Sequence, residues 1–245
     1  MHKKHMRKDS SMEFVANEGK NVEIEVNGEV YKRHVIKTRF VKPGESYIEI
    51  FKEYALPMYE EGDIISASEK IISLCQNRII KREDIKIGFW AKLLSKFASH
   101  PTTGVGVGET IKMQYAIDTA GLLRVLWASI CSAVTKVFGK KGVFYEMVGI
   151  EVSGLDGFYG KVWEEYADMG IKIPENSSKV CDEIKQELGI SCMIVDANDL
   201  GVEILGNSSN LEYGDEFLKG LIKDNPSGQG RQLTPLVLIR KKSEN

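Results

Sequence analysis

This chain of 245 residues is short of several things, and each shortage excludes a class of function. It lacks an excess of charge: 33 Lys and Arg stand against 35 Asp and Glu, a formal net charge of -2, so no global field draws it to nucleic acid or to an anionic surface. Its four cysteines, Cys75, Cys131, Cys181 and Cys192, are far apart and form no C-x-x-C pair. Neither a zinc site nor a disulfide framework follows from them, and a reducing cytoplasm is the simplest location. No apolar run reaches the roughly 20 residues of a membrane span. The nearest approach, "GLLRVLWASICSAVTKVF", is interrupted by Arg124 and Lys136 and reads as a buried or interface helix, ahead of a membrane-surface role. Activated-nucleophile signatures are missing too: there is no G-x-S-x-G elbow, no H-E-x-x-H, and no cysteine with an evident histidine partner. The glycine series "GVGVGE" is neither a Walker A loop nor G-x-G-x-x-G. His100, next to Pro101, is a general-base candidate for which a structural role is favoured.

What remains is the composition of an ordinary soluble globular protein, 42% hydrophobic and 28% charged, long enough for one large domain or two smaller ones. The basic start, "MHKKHMRKDS", has no apolar segment of the kind a secretory signal needs. Residues 1–20 are therefore expected to be a disordered leader or an expression remnant, and 21–245 the folded domain.

Alternation on either side of Asn27-Gly28 predicts a β-hairpin from Val22 to Phe40. "VKPGES" ends it, and a helix is expected over Tyr47 to Met58, stopping at Pro57. "GDIISASEKIIS" reads as a strand, a polar turn and a helix. Thr110 to Ile117 again alternates and predicts a strand, one that closes in Asp118. From Ala120 to Gly170 the spacing is helical, interrupted by "GKKG" and "SGLDGFYG". Ser177 or Ser178 is expected to cap a helix running to Gly189, another helix is expected within "LEYGDEFLKGLIKD", and "LTPLVLIRKK" supplies a last strand. The fold class expected is α+β, a mixed sheet with helices, with two lobes as one possibility.

In "ISCMIVDANDLGVEILGNSSN" an apolar run stops abruptly in Asp196, Asn198 and Asp199. Together with Asp118 and with Gln229 and Gln232 of the last loop, these are hard oxygen donors at the ends of apolar runs. Such donors suit magnesium or manganese, which need few protein carboxylates when phosphates and water complete the shell. Strand-terminal Asp and Asn also bond their own turn backbone, which is the commoner outcome for any one of them. Lys70 and Ser73 fall where a turn feeds a helix and are candidates to meet phosphate, against the plainer reading of Lys70 as a solvated helix charge.

The succession "HVIKTRFVKPGES", "EEGDIISASEKIIS", "YAID", "MIVDANDLG" with "ILGN", and "LTPLVLIR" resembles the γ-glutamyl ligases that act on the deazaflavin coenzyme F420. The shared order runs along most of residues 30 to 240, and about 120–170 is a helical insertion without a counterpart. The resemblance implies a ligase that uses GTP, or ATP, and Mn2+ or Mg2+ to activate a carboxylate as an acyl phosphate, which the amine of glutamate then attacks. It implies metal contacts at Asp118, Asp196 and Gln229, with Gln232 as the neighbouring candidate, and nucleotide contacts at Lys70, Ser73 and Asn198. It also implies a homodimer, for which the apolar helix Leu122 to Phe138 is the candidate interface. Expected partners are a nucleotide, an amino acid and a small-molecule acceptor, with neither nucleic acid nor a membrane span. The alternative is a catalytically inactive nucleotide- or metabolite-binding protein on the same scaffold.

Overall fold

A computed structural model describes residues 12–98, 106–140, 142–158, 164–198, 201–228 and 232–242. The hairpin forms where Asn27-Gly28 places it. Strand β1 (Glu23–Val26) pairs antiparallel with β2 (Glu29–Ile36), and Asn27 and Gly28 both have positive φ, 53° and 80°, the geometry whose twist matches the flanking strands. The Ser46 hydroxyl accepts the Glu49 N–H at the start of α1 (Tyr47–Ile50), which widens into a π turn over Phe51–Ala55. Strand β3 (Ile64–Ser68) passes directly into α2 (Glu69–Cys75), so the polar turn expected between them is absent: Ser68 ends the strand and Glu69 begins the helix.

Strand β4 (Ile79–Lys81) then leads into a helical lobe of α3 (Phe89–Ser95), α4 (Thr110–Ala120), α5 (Leu122–Val137), α6 (Val143–Val148) and α7 (Ile150–Ser153). Strands β5 (Asp156–Gly157) and β6 (Met169–Ile171) follow, with β6 between β4 and β5 in a three-stranded antiparallel sheet. The chain returns through α8 (Ser177–Leu188), β7 (Cys192–Asn198), β8 (Gly201–Asn207), α9 (Asp215–Leu221) and β9 (Leu236–Lys241). The cap of α8 is Asn176, at φ 50°, rather than Ser177 or Ser178; Gly189 ends that helix as expected, at φ 73°.

The segment expected to be a strand at Thr110 to Ile117 is helix α4. Its period-two alternation misled because the polar positions are not solvent-facing. Lys112 and Gln114 are both buried and both have partners: Lys112 Nζ donates to the carbonyls of Leu155 (2.8 Å) and Ser153 (3.3 Å), and Gln114 bridges Gly88 and Asp118. A helix buried on most sides carries no clean 3.6-residue stripe.

The six-stranded mixed sheet has the order β1-β2-β9-β3-β7-β8, in which only β3 and β7 are parallel. Alternate residues divide its two faces. Ile36, Ile65, Ala67, Cys192, Ile194, Leu236 and Leu238 meet α1, α2 and α8, whereas Ile64, Met193, Val195, Val237 and Ile239 meet α9. At Gly206 a Cβ would overlap the backbone of Ser177 and Ser178, which is how α8 lies so close on β8. The helical lobe has its own core around Ala91, Met113, Tyr115, Val125, Phe144 and Val152, drawn from α3 and α4 as well as from residues 122–155. The expected boundary at residue 20 moves. Phe14 packs on the main core, Val15 O accepts the Val35 N–H (2.9 Å), and Lys20 Nζ donates to Asp224 O (2.6 Å). Among the described residues no single helix is long and apolar enough to cross a membrane; α4 and α5 qualify only as a pair bent by 120°.

Candidate functional site

The parallel pair β3/β7 fixes the site. Ser68 lies opposite Val195, so the next residues, Glu69 and Asp196, emerge together at the carboxyl ends of these strands. Ligands of open mixed sheets collect at such ends. Strand β8 comes back at the same end, with Glu203 opposite Asp196. Strand β9 enters there as well: Ala67 faces Leu236, and the Ser68 N–H donates to Pro235 O (2.8 Å). Thr38, just past β2, donates its N–H to Leu233 O (2.9 Å). The structure thus brings Lys70, Asp196 and Asn198 to one end of the sheet, with Gln232 in the segment that leads into β9 there.

At the centre is Glu69, which the sequence reading passed over because an acid in the first turn of a helix is unremarkable. It is 5% exposed, and its Oε2 has no hydrogen-bond partner among the described residues. Burial pushes its pKa up to about 8; Lys70 opposes this, while the negative charges of Asp196, Asp156 and Glu203 add to it. The Lys70 Nζ lies 2.6 Å from Asp156 Oδ2 on β5. Burial pushes the phenol of Tyr166 up to about 12, against the pull of Lys70. Lys112 reaches the same group of charges from α4: burial lowers its pKa to about 8, and Asp156 partly restores it. Glu69, Asp156 and Glu203 carried no sequence signal beyond the nearness of Glu69 to Lys70; only the topology gathers them.

Other expected ligands are placed differently. Asp118 does not close a strand. It lies in the last turn of α4, where its Oδ1 accepts from Gln114 Nε2 (2.8 Å), while Gln114 Oε1 accepts the Gly88 N–H (2.8 Å). Ser73, expected beside the nucleotide, is fully buried four residues after Glu69, with no partner for its Oγ among the described residues. It shares Glu69's face of α2 but lies one helical turn farther from the sheet end. Asn198 Oδ1 accepts the Gly201 N–H (3.1 Å) and closes the β7–β8 connection, the local role open to a strand-terminal Asn. Gln229, Asp199 and His100 lie outside the described residues. Gln232 Oε1 is buried and unpaired among the described residues, with its amide against Gly228.

Among the described residues no three Asp, Glu, His or Cys side chains form a metal-binding group. Glu69 and Asp196 nevertheless fit the needs of Mg2+ or Mn2+, which take one or two carboxylates and leave the remaining positions to phosphate and water. The orphaned, buried Oε2 is the observation that favours such a ligand. No protein-family model and no curated protein matches the chain.

Proposed function

We propose that this sheet end binds a nucleoside triphosphate with a divalent cation and that the protein is an acid–amino-acid ligase. The single observation that carries the reading is the buried Glu69 carboxyl group, whose Oε2 has no partner among the described residues, beside Asp196 and Lys70 at the carboxyl ends of the parallel strands. A buried acid surrounded by like charges is an unstable arrangement that a cation relieves.

In this reading Glu69 and Asp196 would hold the cation, and Lys70 would turn from Asp156 towards phosphate oxygens. The bound metal would offset the negative charge of the polyphosphate. A carboxylate oxygen of the acceptor attacks the γ-phosphorus, and the nucleoside diphosphate leaves with the electron pair of the broken P–O bond. The amino nitrogen of the second substrate then attacks the acyl carbon, inorganic phosphate leaves, and the nitrogen loses its proton to water or a base. The motif resemblance supports GTP, or ATP, as the triphosphate, glutamate as the amine, and a carboxylate-bearing small molecule as the acceptor. The protein's oxygens and ammonium group position the reactants and set the local charge.

The second reading, nucleotide or metabolite binding without turnover on the same scaffold, draws on the burial of Ser73 and on the engagement of Lys70 with Asp156. One experiment addresses both. The protein is incubated with GTP or ATP, Mn2+, and a panel of amino acids and carboxylates, and phosphate release is followed alongside calorimetric nucleotide binding. Metal-dependent binding with phosphate release supports the ligase, and binding alone supports the second reading. Asp196→Ala is expected to abolish metal-dependent nucleotide binding, whereas Asp118→Ala leaves it within about twofold, since a distant surface change is worth only a few tenths of a kcal/mol. Unaltered binding in Asp196→Ala overturns the site.

A further inference from the structure

A cavity of about 410 Å³ opens at the start of α8, and none of the charged residues gathered around Glu69 lines it. Its polar side is the first turn of the helix, Ser177, Ser178 and Lys179; its apolar side is Ile173, Pro174 and Leu205. The 12 aligned peptides of α8 put partial positive charge at this end. No side chain caps it. Asn176, the residue before the helix, has φ 50° and makes no side-chain bond to the first turn. The amides of Ser177, Ser178 and Lys179 donate to no described residue, and the first amide to find a partner is that of Val180, which donates to Asn176 O (3.0 Å). The first turn contains no acid, and the carboxylate of Glu175, just before it, is engaged by Arg78.

Water satisfies many helix starts, and an uncapped one is not in itself a site. Ser177 is the independent observation. It is only 6% exposed, it lines the cavity, and its hydroxyl bonds no described residue. Gly206 lets the backbone of Ser177 and Ser178 sit directly on β8, so the first turn is held in place. The Ser177 Oγ is not sealed in the core as that of Ser73 is, and it opens to the cavity. A buried hydroxyl without a partner is costly, and an acceptor in the cavity would remove the cost. Ser178 and Lys179 are exposed and complete the polar side; Lys179 Nζ is 3.9 Å from Glu183, whose carboxylate also accepts the Tyr47 hydroxyl. Three amides, two hydroxyls and an ammonium group supply more donors than the two oxygens of a carboxylate use. A phosphate monoester brings three terminal oxygens and up to two negative charges. The volume lies within the roughly 300–1,000 Å³ of small-molecule pockets, and Ile173, Pro174 and Leu205 give an organic body an apolar wall.

We infer that the start of α8 binds a small organic phosphate monoester through the amides of residues 177–179, the Ser177 hydroxyl and Lys179. This requires neither nucleotide nor metal at the sheet end, and the test uses neither. The isotope-labelled full chain is titrated with inorganic phosphate, phenyl phosphate and benzoate at constant ionic strength, and the backbone amide resonances are followed by NMR. The amides of Ser177, Ser178 and Lys179 are expected to shift saturably with phenyl phosphate. Inorganic phosphate should bind at least about fivefold more weakly, because the phenyl ring covers apolar surface on Ile173, Pro174 and Leu205. Benzoate, with fewer acceptors and less charge, should bind at least about tenfold more weakly than phenyl phosphate. Ser178→Asp, at an exposed position, sets a carboxylate on the same amides. It should raise the melting temperature slightly and weaken phenyl phosphate at least about tenfold, so that the loss does not come from unfolding. Lys179→Glu should also weaken it about tenfold, and Ser177→Ala about fivefold. Absence of saturable shifts at residues 177–179 in the wild-type protein overturns the site, as does unchanged affinity in Ser178→Asp. Benzoate binding as tightly as phenyl phosphate would overturn the choice of phosphate, and inorganic phosphate binding as tightly would overturn the organic body.

Discussion

Lys70 Nζ stands 2.6 Å from Asp156 Oδ2, so the first turn of the helix behind β3 is tied to the small sheet that borders the helical lobe. Both side chains are partly solvated, 37% and 28% exposed, and a pair of this kind is worth at most about 1 kcal/mol. Asp156→Asn should therefore leave the melting temperature nearly unchanged. It also removes one of the negative charges acting on Glu69 and weakens the competitor for Lys70, so metal-free nucleotide should bind about three- to tenfold more tightly at low salt, with the gain screened at high salt. A fluorescent nucleotide titrated against both proteins measures this. A large loss of stability with no change in affinity would make the pair a structural strut.

Glu69 gives the molecule a pH signature. Its folded pKa, about 8, is above the ordinary 4.5, so between these values the folded state holds a proton that the unfolded state has released. The contribution to stability is greatest below pH 4.5 and is lost as pH rises through about 8. Glu69→Gln, which retains shape without titrating, should remove this slope and stabilise the protein at pH 9 by on the order of 2 kcal/mol, read from urea unfolding at several pH values. Mn2+ should oppose the same slope in the wild-type protein and release close to one proton on binding near pH 7, measurable by calorimetry in buffers of different ionisation enthalpy. An unchanged pH slope in the glutamine variant would show that another group sets it.

The parts of the fold legible in the sequence were those determined locally. Asn27-Gly28 fixes the first hairpin because two consecutive positive φ angles demand such residues, and Gly189 fixes the end of α8 for the same reason. The last strand was legible from "LVLIRK", whose first four residues are buried in mid-sheet. Helix α4 was not, because Lys112 and Gln114 looked like the polar half of a strand until the carbonyls of Ser153 and Leu155 and the Gly88 N–H accounted for them. The site was legible in part. Asp196 was in view because it ends a marked apolar segment, and Lys70 because it falls where a strand gives way to a helix, whereas Glu69, Asp156 and Glu203 meet only through pairings between distant strands. Asp118 was misplaced for the same reason as α4.

Arg33, in the middle of β2, is also buried, at 1% exposed. Its guanidinium donates to both carboxylate oxygens of Asp224, to Leu221 O (3.2 Å) and to Asn21 O (2.7 Å), joining the sheet to the end of α9 and to the segment before β1. Burial alone would raise the Asp224 pKa, but the hydrogen bonds and charge of Arg33 prevail and hold it below the ordinary 3.8. Because the folded pKa is the lower one, the stability this gives is present above pH 3.8 and disappears as pH falls through the folded value. Removing one partner leaves a buried cation without its counter-ion, so Asp224→Ala should cost about 2–4 kcal/mol at pH 7, reduced from the fully buried case because Asp224 retains some solvent contact. Replacing both partners, Arg33→Met with Asp224→Leu, should recover much of that loss. Urea unfolding of the wild-type protein, the single variant and the double variant, at pH 7 and again near pH 3, separates the two contributions. The gap between wild type and Asp224→Ala should narrow at the lower pH, and a gap that stays constant would mean that packing around residue 224, rather than its charge, holds α9 to the sheet.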